Sequence, residues 1–347
     1  RGLGDVYKRQ AAHSAGVLDI RTNILADTDA LYLTAIDKYG HELWRWTFPV
    51  EKLNQQSEPI SFLSIRPTYT ETENDLIVKA NKRTFIFSKK DGQLKGVSVD
   101  NRKISFANGP RFIGARRADR SLDQFYNHDD EKAKEKDRTY SEFPDAAVFT
   151  KLDVKQDGGD LIVTANYKLG NLDKAQWTIN PSGDLALDYT YNFSGVVDLM
   201  GIRFDYPEDQ VISKRWLGAG PYRVWQNRIH GTQYDIWEND YNDPIPGETF
   251  TYPEFKGYFG NVSWMNIQTK EGTISLTNET PDTYIGVYQP RDGRDRLLYT
   301  LPESGISVLN VIPPVRNKVN STDLCGPSSQ PKWVNGPQTG RVIFRFM

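Results

Sequence analysis

Tyr222, Trp225 and Arg228 fall within one thirteen-residue stretch, Trp216-Leu217-Gly218-Ala219-Gly220-Pro221-Tyr222-Arg223-Val224-Trp225-Gln226-Asn227-Arg228. Aromatic faces beside fixed guanidinium donors suit a sugar, which offers apolar C–H faces and a rim of hydroxyls. Gly218 and Gly220 are expected to take backbone angles closed to other residues, and Pro221 fixes its own φ. The stretch therefore reads as a rigid bend that presents aromatic and guanidinium groups. The same residues also fit a structural corner plugged by tryptophan.

Such a bend must be held by its surroundings, and these read as strands. Leu31–Ile36 and His41–Phe48 flank an Asp37-Lys38-Tyr39-Gly40 turn, with Leu43 facing one way and Trp44 and Trp46 the other. Ile60–Ile65 offers a further strand. From about residue 67 a long all-β run begins with Asp75–Ala80, Arg83–Ser88 and Leu94–Val99. Ala146–Lys155 and Asp160–Lys168 form a hairpin around Gln156-Asp157-Gly158-Gly159. Asp184–Phe193 alternates strictly, with Leu185, Leu187, Tyr189 and Tyr191 on one face and Ala186, Asp188, Thr190 and Asn192 on the other. Gly340–Phe346 is a closing strand. Many such strands without intervening helices predict an all-β protein built as a large antiparallel sandwich. Ser121–Phe143, rich in charge, is expected as a solvated loop or short helix.

Composition narrows the function classes. With 43 Lys and Arg against 45 Asp and Glu, nothing points to nucleic acid or an anionic membrane surface. No apolar run is long enough to span a bilayer. The lone Cys325 excludes an intrachain disulfide and a cysteine-based zinc cluster. The 18 Tyr, 16 Phe and 8 Trp suit strands and sugar clefts instead. Arg1–Gln10 resembles the translation of a sequencing-adaptor end and is expected to stand outside the fold, so the true N-terminus is expected to be missing.

Trp216-x-Gly218-x-Gly220-Pro221, followed by Arg228, resembles the C-terminal domain of glycoside hydrolase family 2, the β-galactosidase family. Tyr252-Pro253-Glu254-Phe255-Lys256-Gly257 looks like that domain's Pro-x-Glu-x-Gly segment, and Val262–Ile267 like the strand after it. Asn81–Phe87 with Asp91-Gly92-Gln93-Leu94 looks like its opening hairpin. The resemblance runs in a single register over residues 17 to 347. It implies that residues 67–347 form a two-sheet supersandwich like that of galactose mutarotase. It also implies that residues 11–66 are the second half of an immunoglobulin-like β-sandwich.

The resemblance further implies where the chemistry sits. A retaining glycosidase uses two carboxylates about 5–5.5 Å apart, and in this family both lie in a (β/α)₈ barrel. No alternating strand–helix pattern occurs here and no Asp or Glu lies in a matching catalytic motif, so no catalytic residue is assigned. Mutarotase chemistry needs a general acid and base, typically His with Glu. His13, His41 and His128 lie beside the adaptor-like segment, at a turn and in the charged loop, and His230 reads as a surface residue. Glu238, Asp240, Asn242 and Asp243 precede Pro244 and could offer oxygen ligands to Ca²⁺, but they read better as a turn. No metal or cofactor is expected.

In β-galactosidases a Gly-rich, Asp-containing loop ends in a Trp that reaches the barrel's sugar site. Asp323–Trp333 is the matching loop and Trp333 the matching residue, with Ser, Gln and an added Pro in place of the acidic pair. Taken by itself, Trp333 also fits an interface or a core plug. The substrate-binding residues expected from these readings are Trp333, Tyr222, Trp225 and Arg228. The chain is expected to be the non-catalytic C-terminal part of a family 2 hydrolase acting on plant or other polysaccharide-derived glycosides. Its partners would be the carbohydrate and its own missing barrel. A stand-alone carbohydrate-binding or mutarotase-like β-protein is the alternative, and a purely structural sandwich the third. Its richness in Tyr and Trp suits a periplasmic or secreted bacterial protein.

Overall fold

The computed structural model describes residues 15–17, 28, 30–49, 65–117, 140–240, 257–287, 301–314 and 326–347. Contacts divide the chain into two compact units, Arg1–Phe62 and Leu63–Met347.

In the first unit β1 (Ala30–Ile36) pairs antiparallel with β2 (Glu42–Pro49). The turn between them is set by Asp37, whose Oδ1 accepts the N–H groups of Tyr39 and His41, both at 2.8 Å. Half an immunoglobulin-like sandwich needs more than this pair. The further strand expected at Ile60–Ile65 lies outside the described residues except for Ile65.

The second unit opens with β3 (Thr68–Glu71), β4 (Asp75–Ala80), β5 (Arg83–Ser88), β6 (Leu94–Val99) and β7 (Arg102–Ile104). Next come β8 (Ala107–Arg117), β9 (Tyr140–Glu142), β10 (Val148–Asp157), β11 (Asp160–Lys168), β12 (Leu172–Ile179) and β13 (Leu185–Val197). β14 (Leu199–Asp205), β15 (Val211–Gly220), β16 (Gln233–Asp240), β17 (Phe259–Gly260) and β18 (Trp264–Thr269) follow. β19 (Gly272–Asn278), β20 (Tyr284–Gly286), β21 (Ile306–Val311) and β22 (Lys332–Phe346) complete it. No α-helix occurs among the described residues.

These strands make two antiparallel sheets. One runs β10-β11-β12-β13-β22-β19-β18-β15-β16. The other runs β17-β20-β21-β14-β8-β6-β5-β4-β3, with β7 beside β6 and β9 beside β8. The alternation in β13 decides its face: Leu185, Leu187, Tyr189 and Tyr191 are buried, whereas Asp188, Thr190 and Asn192 are not; Ala186, expected on the open face, is buried as well. Across the interior these side chains meet the other sheet, as in Phe112–Tyr191 at 5.5 Å and Phe106–Phe344 at 5.0 Å between ring centroids. Trp177 packs edge-on against Phe204 at 6.0 Å. Aromatic burial on this scale, about 1.5–3 kcal/mol per large side chain, carries the fold. The second unit is thus an all-β supersandwich. The β10–β11 turn closes on Gly158-Gly159, with Gly158 at φ 58°, the left-handed angle that glycine takes without strain.

One expectation is corrected. Ser121–Phe143 was expected as loop or helix throughout, but Tyr140–Glu142 is strand β9, paired with the end of β8. Tyr140 is buried there, and that burial outweighs the charged character of the run. The charged run itself, Asp129–Arg138, lies outside the described residues.

Candidate sugar-facing site

The Trp216–Arg228 stretch is the end of β15 and the bend after it. Trp216 is buried edge-on against Phe259 at 4.9 Å. Neither Gly218 nor Gly220 has a positive φ, which corrects the expectation of special backbone angles. What the glycines supply is absence of bulk. A Cβ on Gly220 would lie 2.3 Å from Trp237 Cδ1, and one on Gly218 would lie 3.0 Å from the Asn261 carbonyl oxygen. Gly220–Pro221 is a cis peptide.

Beyond Pro221 the backbone folds onto the outer face of the second sheet. Val224 and Tyr258 exchange N–H···O bonds of 2.6 and 2.9 Å, and Gly257 sits so close that a Cβ would lie 2.2 Å from the Val224 carbonyl oxygen. Gly257 ends the Pro-x-Glu-x-Gly segment, so two recognised motifs meet here. The rest of that segment, Tyr252–Lys256, lies outside the described residues. Trp225 packs edge-on against Tyr258 at 5.6 Å, within a cluster that includes Ile113, Leu199, Leu309 and Ile312. Burial pushes the Tyr258 phenol well above its ordinary range and removes it from proton chemistry near neutral pH.

This second layer corrects one site residue. Trp225 is 1% exposed, so its indole packs beneath the surface and offers no face to a sugar. Tyr222 is 42% exposed, and Arg228 is also at the surface. Trp225 and Arg228 are joined instead through the backbone, closing a tight turn with Gln226 and Asn227 at its tip.

Gln226 went unnoticed in the sequence and turns out to organise the site. Its backbone N–H donates to the Pro313 carbonyl at 3.1 Å. Its buried side chain donates through Nε2 to the carbonyls of Ser328 at 2.9 Å and Gln330 at 2.7 Å. The 3₁₀ turn Pro327–Ser329, which ends four positions before Trp333, is thereby pinned to the Trp216–Arg228 stretch. Trp333 stands at the start of β22, opposite Val196 of β13. Here the two strands run beyond the partners that flank them in the sheet, because β12 pairs β13 only to Tyr191 and β19 pairs β22 only from Val342. The indole of Trp333 is 71% exposed on this ribbon, which rules out a core plug. Asp323–Cys325, the start of the loop, lies outside the described residues.

The remaining candidates are dispersed. His41 and His230 are exposed, and His13 and His128 lie outside the described residues. Glu238 and Asp240 are on β16, where Glu238 faces Arg215 at 3.9 Å, and Asn242 and Asp243 lie outside the described residues.

Comparison with known proteins gives three findings. Residues 79–312 match the family described as beta galactosidase small chain. No curated protein matches the chain. Among solved structures, galactose 1-epimerase from Lactobacillus acidophilus is similar at 11% identity and a TM-score of 0.46, over 82% of this chain and 99% of that one. An amine oxidase from Aspergillus nidulans is similar at 8% identity and a TM-score of 0.31, over 86% of this chain and 55% of that one. At these values neither likeness bears on what the chain binds. The family match, by contrast, covers well over half of the sequence in one run and takes in the motifs that meet at Val224 and Gly257. The chain belongs to the beta-galactosidase small chain family.

Proposed function

We propose that this chain is the non-catalytic C-terminal part of a family 2 glycoside hydrolase of β-galactosidase type. In this reading it buttresses a catalytic (β/α)₈ barrel that lies outside these residues and lines one wall of the sugar cleft. The observation that carries the proposal is Trp333: a large indole held in the open on a two-stranded ribbon, behind a loop fixed by Gln226. A pyranose stacked there would contribute on the order of 1–3 kcal/mol through apolar contact. Tyr222 and Arg228 are the other exposed residues of the stretch and are assigned to the same wall. The reading as a mutarotase-like enzyme is less well supported, because His230 stands exposed and His41, paired with Asp37 at 3.1 Å, lies on an exposed two-stranded hairpin of the first unit.

The test is an activity measurement in two steps. The purified 347-residue chain should not hydrolyse aryl β-galactosides or related aryl glycosides. Joined to the barrel-coding sequence from its own locus, or mixed with that barrel as a separate chain, it should give an active hydrolase. Turnover by the chain alone after rigorous purification would defeat the proposal, as would a barrel whose activity is indifferent to the chain.

A further inference from the structure

A recess lies at the opposite end of β14 from Trp333. Trp333 pairs with Val196, just before β14 begins at Leu199, whereas Arg203 and Asp205 lie toward its other end. Six steps of extended chain separate Leu199 from Asp205, about 20 Å. The recess has a volume of about 770 Å³.

Its floor is made by Arg111 of β8 with Arg203 and Asp205 of β14. Arg111 and Arg203 are direct partners on adjacent antiparallel strands, so their side chains share one face. Phe112, Ile202 and Phe204 point the other way, into the core. Like charges placed opposite each other weaken a ladder, and here the carboxylates of Asp205, Asp145 and Glu142 offset them. Both guanidiniums are fixed in place. Arg111 donates through Nη2 to Asp205, whose other oxygen accepts from Asn108 Nδ2 at 2.9 Å. Arg203 donates through Nη1 to the Glu303 carbonyl. No described residue meets the second terminal nitrogen of either, and both buried Nε–H groups also go without a partner. Burial, reinforced by the Arg111 charge, lowers the Arg203 guanidinium from its ordinary value, yet an arginine keeps its charge near neutral pH.

Around this floor stand Glu208, Asp209 and Glu303, and Asp145 and Glu142 lie close enough to act on the guanidiniums, so with Asp205 six carboxylates surround two guanidiniums. The surplus of negative charge opposes an anionic ligand, and the guanidinium floor opposes a cation. A neutral ligand whose groups both donate and accept satisfies both surfaces, and hydroxyls do this. The volume falls in the range of small-molecule sites. We propose that the recess floored by Arg111, Arg203 and Asp205 is a binding site for a neutral mono- or disaccharide, held by its hydroxyls and filled without the barrel. The polyol class follows from the lining, and that the polyol is a sugar rests on the function proposed above.

The test is titration of the 347-residue chain with galactose and lactose, with galacturonate as anionic comparator, followed by NMR shifts or by heat. Saturable binding of the neutral sugars is expected, with galacturonate weaker. Arg203→Gln and Asp205→Asn should each weaken it by about tenfold or more, the loss of charge-assisted hydrogen bonds, while Trp333→Ala leaves it unchanged. Should Arg203→Gln fail to fold, Asn108→Gly at the exposed rim, which removes the side-chain amide and keeps the left-handed backbone angle of 52°, should weaken binding at a nearly unchanged melting temperature. The inference is overturned if no saturable response appears at tens of millimolar sugar, if galacturonate binds more tightly than galactose, or if only Trp333→Ala abolishes binding. The barrel assay fails or succeeds independently of these results.

Discussion

Gly220→Ala places one methyl group against one ring. The added Cβ would lie 2.3 Å from Trp237 Cδ1 and 2.5 Å from both Cγ and Nε1. Carbon contacts become favourable only near 3.5–4.0 Å, so the indole must retreat by more than 1 Å. It is not free to do so, because Nε1–H donates to the carbonyls of Gly218 at 3.2 Å and Gln233 at 3.1 Å. Overpacking costs about 1–3 kcal/mol and a loosened hydrogen bond about 1 more, giving about 2–4 kcal/mol. For a unit of this size that corresponds to a fall in Tm of about 4–8 °C. Thermal denaturation of the purified variant measures it. Gly96→Ala is the control: no atom lies within 4 Å of its added Cβ and its φ is not positive, so it should be neutral or stabilising by up to about 1 kcal/mol. A Gly220→Ala midpoint within about 1 °C of the parent would refute the steric account. So would an equal loss in a Trp237→Leu background, where the clash is relieved and the two changes should couple.

Gln226→Ala removes both side-chain bonds to the Pro327–Ser329 turn and should cost about 1–3 kcal/mol. It should also speed proteolytic cutting within residues 326–331, and unchanged protection of that loop would contradict its role as a pin. Burial alone would raise the Asp184 carboxyl, but the Arg345 fork at 2.7 and 2.8 Å outweighs it and holds the group below its ordinary value. A folded pKa below the unfolded one adds stability that is present above about pH 4 and lost as pH falls through the folded value. Arg345→Gln should therefore narrow the difference in Tm between pH 6 and pH 3, and an unaltered difference would show the pair to be inert. Finally, a two-stranded hairpin is marginal alone, so limited proteolysis should remove residues 11–66 before it cuts β3 to β22. Equal protection of both parts would count against that boundary.

Elements whose pattern is local could be read from the sequence. The period-two run of β13, the Gly158-Gly159 hairpin and the strand closing at Phe346 carry their geometry in neighbouring residues, and each is present, although the closing strand starts at Lys332 rather than Gly340. The motif stretch was also visible, but its inner logic was not. Gly220 suggests freedom of φ when read alone, and only the pairing of β15 with β16 reveals the Trp237 ring against it. Trp225 looked like a binding residue because nothing in a single sequence shows a second packing layer outside a sheet. Gln226 left no signal, since its partners lie about a hundred residues away in the chain. Arg111 and Arg203 meet only through the β8–β14 register. One trace did exist: Arg203 and Asp205 alternate with Ile202 and Phe204, which puts two charges on one face of an otherwise apolar strand.

The central claim is that Trp333 is held in the open to meet a sugar that the barrel presents. The direct measurement is the kinetics of the hydrolase containing both chain and barrel, with and without Trp333→Ala. With the ring 71% exposed, the variant should keep the parent's Tm. Its KM should rise by roughly 10- to 100-fold, the kinetic form of about 1–3 kcal/mol of lost stacking. Unchanged kinetics in a folded Trp333→Ala enzyme would contradict the account, and so would a variant that fails to fold.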